Sequence, residues 1–529
     1  MMSLPRSLGG PPRALVFRPR ALWIGEASRA REMLEGRFRF AGREVQGSAE
    51  AGPWRIAAPS EDFAEALHGF GWLDDLAAAD TAAAREQARR WAFGWMTREA
   101  QSGAEAGRGP VWRPDVAGRR ALAWLTRAEL LTQNDPALER QLAGAVDQHA
   151  RRLKREASKA EPGRARLEAE AGLFAAVLAL EPGEARRGRA LARLAGAAEA
   201  QIAPDGGVAN RSPEDLCEAL VLLESAAAMA VETGLEPGAR LTGALDRAQG
   251  ALRALRMRDG ALPRFHGGGP GRPGRLDAAL ALAPRRGGEA ARVEAMGFVK
   301  LTAGRLAAVI DAAAPPATET AHASTLAFEL AAGSRRLVVN SGPGGAFGGD
   351  WYAACRATAA QSTLSLEGVS SSRVGPGDGR FRSGPAAVSA QTTQDVDGAW
   401  FLGEHDGYLE SHGLVHRRRL FLSPDGRDFR GEDALISPAG AAGEGLGFAV
   451  RFHLHPDAAD AVQGLQDGAR LALPDGAWRF TVRGGTPSLA ESVYFDPQVE
   501  APRATRQIVV AGRVAQGTAR VVWSVARES

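Results

Sequence analysis

The apolar positions of this chain change period near its middle. From about residue 116 to 258 they recur at i, i+3 and i+4, which predicts helices over Arg119 to Leu131, Pro136 to Arg155, Arg164 to Leu180, Glu184 to Ile202, Pro213 to Thr233 and Pro237 to Met257. Breakers separate them: Glu-Pro-Gly at 181–183, Pro-Asp-Gly-Gly at 204–207 and Glu-Pro-Gly at 236–238. Ser212 followed by Pro213 is a good helix start, because proline at the first helical position gives up only an amide that has no partner there. Helices joined by such short loops run antiparallel and predict a bundle or a helical toroid. From about residue 297 the period becomes two. Strands are predicted at Gly297–Asp311, Thr325–Val339, Ser362–Leu366, Arg417–Leu422, Phe448–His455, Trp478–Arg483, Gln507–Ala511 and Ala519–Ser524, with Pro-Asp-Gly turns at 424–426 and 474–476. Many short antiparallel strands predict a β-sandwich.

The flanks complete the layout. Residues 1–20 read as a loose basic arm, and 21–58 as a short helix with one or two strand-like pieces. Residues 60–135 carry Phe70, Trp72, Trp91, Phe93, Trp95, Trp112 and Trp124 at helical spacing. These predict a packed helical core, the alternative being one or two rings that stack on a sugar. Gly- and Pro-rich stretches within 266–292 mark the linker region. The expected organisation is an arm (1–20), an all-α domain (21–290) and a β-sandwich domain (291–529).

Composition changes this picture little. At 529 residues the chain exceeds one ordinary core. A net charge of +3 over that length gives no argument for nucleic acid. The only lysines are Lys154, Lys159 and Lys300, so the cationic groups are nearly all guanidinium forks, which suit carboxylates and sulfates. Cys217 and Cys355 lie far apart and indicate no disulfide framework. No stretch approaches the ~20 apolar residues of a membrane span, and no signal-type apolar run follows the N-terminal arginines. Oligomeric state is not legible.

Candidate chemistry clusters from residue 319 onward. His322 is expected at the start of a strand. His405, His412 and His416 stand with Asp406 and Tyr408 in a dense group that suits acid/base chemistry or metal ligation. Tyr408 is the tyrosine best placed for proton transfer, because a neighbouring cation lowers a phenol's pKa. His453 and His455 share a strand face. Along Arg417–Arg419 the faces alternate, so Arg417 is a carboxylate-binding candidate. In the helical half, Asn210 and Arg211 follow a Gly-Gly turn, and His266 lies beside a glycine loop.

These residues resemble the heparinase II/III-like polysaccharide lyases. The resemblance rests on Ala321-His322-Ala323-Ser324 with Phe328-Glu329, on Leu337-Val338-Val339-Asn340-Ser341-Gly342, and on Arg356-Ala357-Thr358-Ala359-Ala360-Gln361-Ser362-Thr363-Leu364. Glu404 to Tyr408, Gly413 to Arg418, Arg451 to Pro456, Gly36 to Gly42, Trp112-Arg113-Pro114 and Gln201 to Gly207 extend it over nearly the whole chain. It implies an α/α toroid followed by an antiparallel β-sandwich, and β-elimination on a uronic-acid polysaccharide. Asn210, Arg211, Arg356, Gln361 and Arg417 would then contact substrate, and His322, Tyr408, His405 or His266 would move protons. The family's toroid tyrosine is absent, since Tyr352, Tyr408 and Tyr494 all lie in the C-terminal half. Val208 stands at a usual histidine. Asn340 and Gln361 stand at metal-type positions, so no zinc or other cofactor is expected. The alternative is a degenerate member that binds an acidic glycan or envelope polymer without cleaving it. The family implies the envelope or periplasm, and the lack of a visible signal peptide leaves the cytoplasm as the alternative.

Overall fold

A computed structural model describes residues 14–21, 23–50, 52–101, 109–272, 274–281, 294–375, 379–496, 499 and 501–528. Residues 1–13 of the expected arm, and 273 and 282–292 of the expected linker region, lie outside the described residues. The chain forms two compact units: residues 1–204, 218–248 and 274–284 make the first, and 205–217, 249–273 and 285–529 the second.

The first unit is helical. The helices Pro136–Glu156, Arg164–Leu180 and Glu184–Gln201 stand where the apolar period puts them. The expected Arg119–Leu131 helix is two, Pro114–Thr126 and Ala128–Thr132, broken at Arg127, whose ψ of 22° leaves the helical region. Gly118 and Gly172 let Pro114–Thr126 and Arg164–Leu180 approach closely, since a Cβ on Gly118 would lie 2.3 Å from the Glu168 carbonyl oxygen. The aromatic run is core: Phe70, Trp72, Trp91, Trp95 and Trp124 are buried. Arg120 is buried among them, 4.3 Å above the Trp95 ring. It spends its donors on His149 Nε2 (2.9 Å) and the carbonyls of His68 and Val111. Ring faces and carbonyl dipoles replace water around this buried guanidinium.

The second unit is a two-sheet sandwich. An eight-stranded sheet runs in the order Val388–Asp395, Gly398–Tyr408, Leu414–Leu422, Asp428–Ile436, Thr518–Arg527, Gly476–Arg483, Gly468–Leu473, Val462–Leu465. The other sheet has nine: Thr486–Tyr494, Arg503–Arg513, Gly447–Leu454, Arg335–Val339, Phe328–Ala332, Leu306–Asp311, Phe298–Ala303 and Glu294–Ala295, with Leu364–Leu366 also paired to Gly447–Leu454. Phe328, Phe429, Phe452, Phe480 and Trp523 meet between them, with Phe328 stacked on Trp523 at 5.5 Å. The Pro-Asp-Gly turns join the hairpins as expected.

Two departures bear on function. His322 does not start a strand; the strand begins at Phe328. Residues 321–327 form a looped segment instead, with Leu326 at φ 65° and its amide on the Asp311 carbonyl. In addition, 205–217 and 249–273, read from sequence as helical-domain segments, pack with the sandwich. Buried ion pairs hold them there. Arg336 bridges Asp259 and Glu329, Arg264 lies beside Glu329, and Arg211 reaches Asp311.

Candidate functional site

The eight-stranded sheet carries a polar chain in its interior. Strand alternation points Arg418 and Asp433 inward, against the usual rule that charges face water. Asp433 accepts from Arg418 Nε (2.8 Å) and Nη2 (3.0 Å), His416 Nε2 (2.8 Å) and Trp523 Nε1 (2.9 Å). His416 Nδ1 in turn lies 3.2 Å from His405 Nε2, and His405 Nδ1 accepts the Gly407 amide proton at 3.1 Å. An amide only donates, so that last bond fixes the others: both imidazoles are neutral, each with its proton on Nε2, pointing toward Asp433. Burial pushes the His405 pKa well below its ordinary value, helped by His416 and Arg418. Burial lowers His416 too, with Asp433 partly opposing it. For Asp433 burial alone would raise the pKa; the Arg418 charge and the His416 hydrogen bond override it and hold the carboxyl far below the usual range.

A second chain links His266, His322 and Asp311. His266 Nδ1 accepts the His322 backbone amide (3.2 Å), and its Nε2 faces Asp311 Oδ2 at 3.3 Å. Ser324 Oγ donates to the same carboxylate at 2.6 Å. His322 Nε2 accepts the Gly267 amide at 3.1 Å. Both imidazoles are buried and lowered in pKa chiefly by that burial. Arg211 is fully engaged: Nε and both Nη donate to the carbonyls of Met296, Ala314 and Gly297 and to Asp311. It therefore fixes a loop against the sheet rather than presenting a free fork.

The other candidates sit as follows. Tyr408 is wholly buried, donates to the Leu364 carbonyl at 3.2 Å, and burial pushes its phenol far above the ordinary value. This is the opposite of the shift expected from a neighbouring cation. Asn210 closes a local turn, with Oδ1 accepting from Ser212 N at 3.1 Å. Arg356 is buried, with Nε on the Ala321 carbonyl (2.8 Å) and Tyr352 and Phe381 each about 5.0 Å from its guanidinium. Arg417 is partly exposed and bonds Glu404 at 2.8 Å. His412 lies on the surface, away from His405 and His416 in its bonding, on Ser411 Oγ. Sequence reading missed Asp311, Asp433 and the inward role of Arg418. The signal for Asp433 was present: Phe429, Gly431 and Leu435 share its parity, so the alternation puts a carboxylate on the core face.

The family model for the heparinase II/III-like C-terminal domain matches residues 285–524. FtsZ-localized protein C of Caulobacter vibrioides is 30% identical over 550 residues, covering 99% of this chain and 92% of that one. The chain belongs to the heparinase II/III-like family. Its fold is also that of solved lyases. The crystal structure of heparinase III has a TM-score of 0.73 at 14% identity, covering 99% of this chain and 88% of that one. Heparan sulfate lyase HepC from Pedobacter heparinus (a mutant) has 0.63 at 16%, covering 95% and 82%. The α/α toroid followed by an antiparallel sandwich is thus the fold of this chain.

Heparinase II/III-like proteins can hold a metal at positions that correspond here to His322, Asn340 and Gln361. The residues present do not fit one. His322 Nε2 takes the Gly267 proton, so its own proton is on Nδ1, and that nitrogen cannot ligate. Asn340 has spent Oδ1 on the Ser362 amide (2.9 Å), leaving only the Nδ2 donor. Gln361 offers a neutral Oε1. One amide oxygen with no anion and no free imidazole nitrogen is not a zinc donor set.

Proposed function

We propose that this protein is a non-cleaving family member that binds an acidic glycan of the cell envelope. The observation that carries this reading is the burial of every candidate proton carrier. His266, His322, His405 and Tyr408 are each at most 1% exposed, and each is shifted toward its neutral form. β-Elimination needs a base in reach of the C5 proton and an acid in reach of the departing O4. Groups sealed in hydrogen-bonded chains serve the fold instead. The expected result is a flat ultraviolet trace, with no unsaturated uronate formed, when the protein is incubated with heparan, chondroitin, hyaluronan, alginate and bacterial uronans, together with measurable binding to at least one of them. A rise in absorbance that His322→Ala abolishes would overturn the proposal and establish a lyase with a rearranged proton-transfer set.

A second reading concerns place. Similarity to FtsZ-localized protein C spans essentially the whole chain, which favours a role beside FtsZ. A fluorescent fusion in the native cell is expected to follow the FtsZ ring; an even distribution would count against it.

A further inference from the structure

The outer face of the nine-stranded sheet carries a cleft of about 800 Å³, built wholly within the second unit. Its floor is set by strand register. Ser365 lies opposite Ala449, Ala449 opposite Ala511, and Ala511 opposite Thr486, giving one row across four strands with two methyls in the middle and a hydroxyl at each end. Phe448, Val450, Ile508 and Val510, of opposite parity, fill the core beneath. One wall is the segment around Ala357 to Ser370. It is pinned by His453, whose Nε2 meets the Ala359 carbonyl at 3.0 Å while its Nδ1 meets Ser492 Oγ at 2.7 Å. This volume lies in the range of small-ligand sites.

Arg451 stands in the same cleft, two residues along the strand from Ala449. Its Nη1 donates to the Gln507 amide oxygen at 3.3 Å. Its Nε is buried without a hydrogen-bond partner, and among the described residues no carboxylate lies within ion-pair distance of it. Burial, unopposed by any anion, lowers its pKa. Three other arginines of this unit, Arg418, Arg336 and Arg211, each meet a carboxylate. A half-buried cation to which the fold gives no carboxylate is under-compensated, and an anionic ligand supplies the missing charge. The apolar row favours a ring with a C–H face. An extended peptide gains less, because the Gly447–Leu454 backbone is bonded to strands on both sides and offers no ladder edge.

We propose that this cleft binds a carboxylated sugar of an acidic glycan, with the carboxylate on Arg451, the ring on Ala449 and Ala511, and hydroxyls on Ser365 and Thr486. The inference rests on the glycan-binding reading and gives it a place. Calorimetric titration of the full chain with trigalacturonate, neutral cellotriose and tetraglutamate tests it. Trigalacturonate is expected to bind and the other two are not. Arg451→Gln should weaken binding about 10-fold or more, the scale of one charge-assisted pair, while Arg451→Lys keeps most of it. The unfolding midpoint of Arg451→Gln should be unchanged or higher, since the fold supplies that charge no ionic partner, and this separates a ligand role from a structural one. Wild-type affinity in Arg451→Gln would overturn the cleft while leaving glycan binding intact. Arg451-dependent binding of tetraglutamate without the sugar would assign the cleft to acidic peptides and overturn the proposal. No binding of trigalacturonate by the wild type would overturn the cleft proposal, and glycan binding itself falls only if the full polysaccharide panel fails too.

Discussion

Asp433→Asn is expected to destabilise the sandwich unit by about 3–5 kcal/mol, the cost of breaking a buried ion pair from one side. Asp433 is the acceptor for four donors, from Arg418, His416 and Trp523. Asparagine keeps the shape but presents one oxygen and an NH₂ where four donors point, and it removes the charge that balances Arg418. Arg418 also donates to the carbonyls of Leu326 (2.7 Å) and Ser362 (3.0 Å), so the cation cannot swing out to water. It is left charged and wholly buried. The loss also passes outward: the Gly407 amide still holds both imidazoles in the Nε2–H tautomer, so His416 cannot rearrange and its Nε2–H loses the carboxylate it donates to. Denaturant unfolding, with hydrogen exchange read on Leu414–Leu422 and Asp428–Ile436, checks this. A loss under about 1 kcal/mol would mean that the carboxylate is not the centre of the network. Arg418→Met should be costly as well, and the double variant should cost less than the sum of the singles, because the two sites share one interaction.

The second large effect is acid sensitivity between about pH 6.5 and 4. Burial lowers the pKa of His453 to about 4, and that of His68 likewise to about 4. His149, His322 and His405 lie well below their ordinary value. In the unfolded chain each titrates near ~6.5. As pH falls below that value the unfolded state takes up protons that the native state refuses, so stability drops. For His453 alone the shift corresponds to about 3 kcal/mol by pH 4. The buried carboxylates act in a different window. Asp311 and Asp433 have depressed pKa values, so their contribution is intact above the unfolded carboxylate value near ~4 and is lost only below it. The fall between about pH 6.5 and 4 therefore belongs to imidazoles. The unfolding midpoint should decline steeply across it, and His453→Gln should make the decline shallower. A midpoint flat from neutral pH to about 4.5 would contradict the neutral-histidine assignment.

Much of the frame was legible because it depends on local periodicity. The helices Pro136–Glu156 and Arg164–Leu180 end within a residue of where the apolar spacing and the Glu-Pro-Gly breaker put them. The hairpins at the Pro-Asp-Gly turns follow from residue types that need those φ values, whatever surrounds them. Strands such as Val388–Asp395 were missed for the same reason: it is exposed at most positions and carries no apolar alternation to read.

The candidate site was legible only as a set of residue types. Sequence placed histidines and a tyrosine together in the sandwich and marked the absent toroid tyrosine. It could not say which way they faced or what they bonded. Tyr408 reads beside His405 and Asp406 as an activated phenol, yet a register shift between His405 and Tyr408 turns it into the core. Arg211 reads as a free fork and is consumed by three carbonyls and Asp311, from parts of the chain about 100 residues away. Arg451 drew no notice as a single residue, because its interest lies in the anion it lacks. Periodicity, caps and turns are set by neighbours a few residues apart, so the sequence alone determined the helical half, the strand-rich half and the family. Burial, tautomer and charge balance are set by groups brought together across hundreds of residues, and these only the tertiary structure decided.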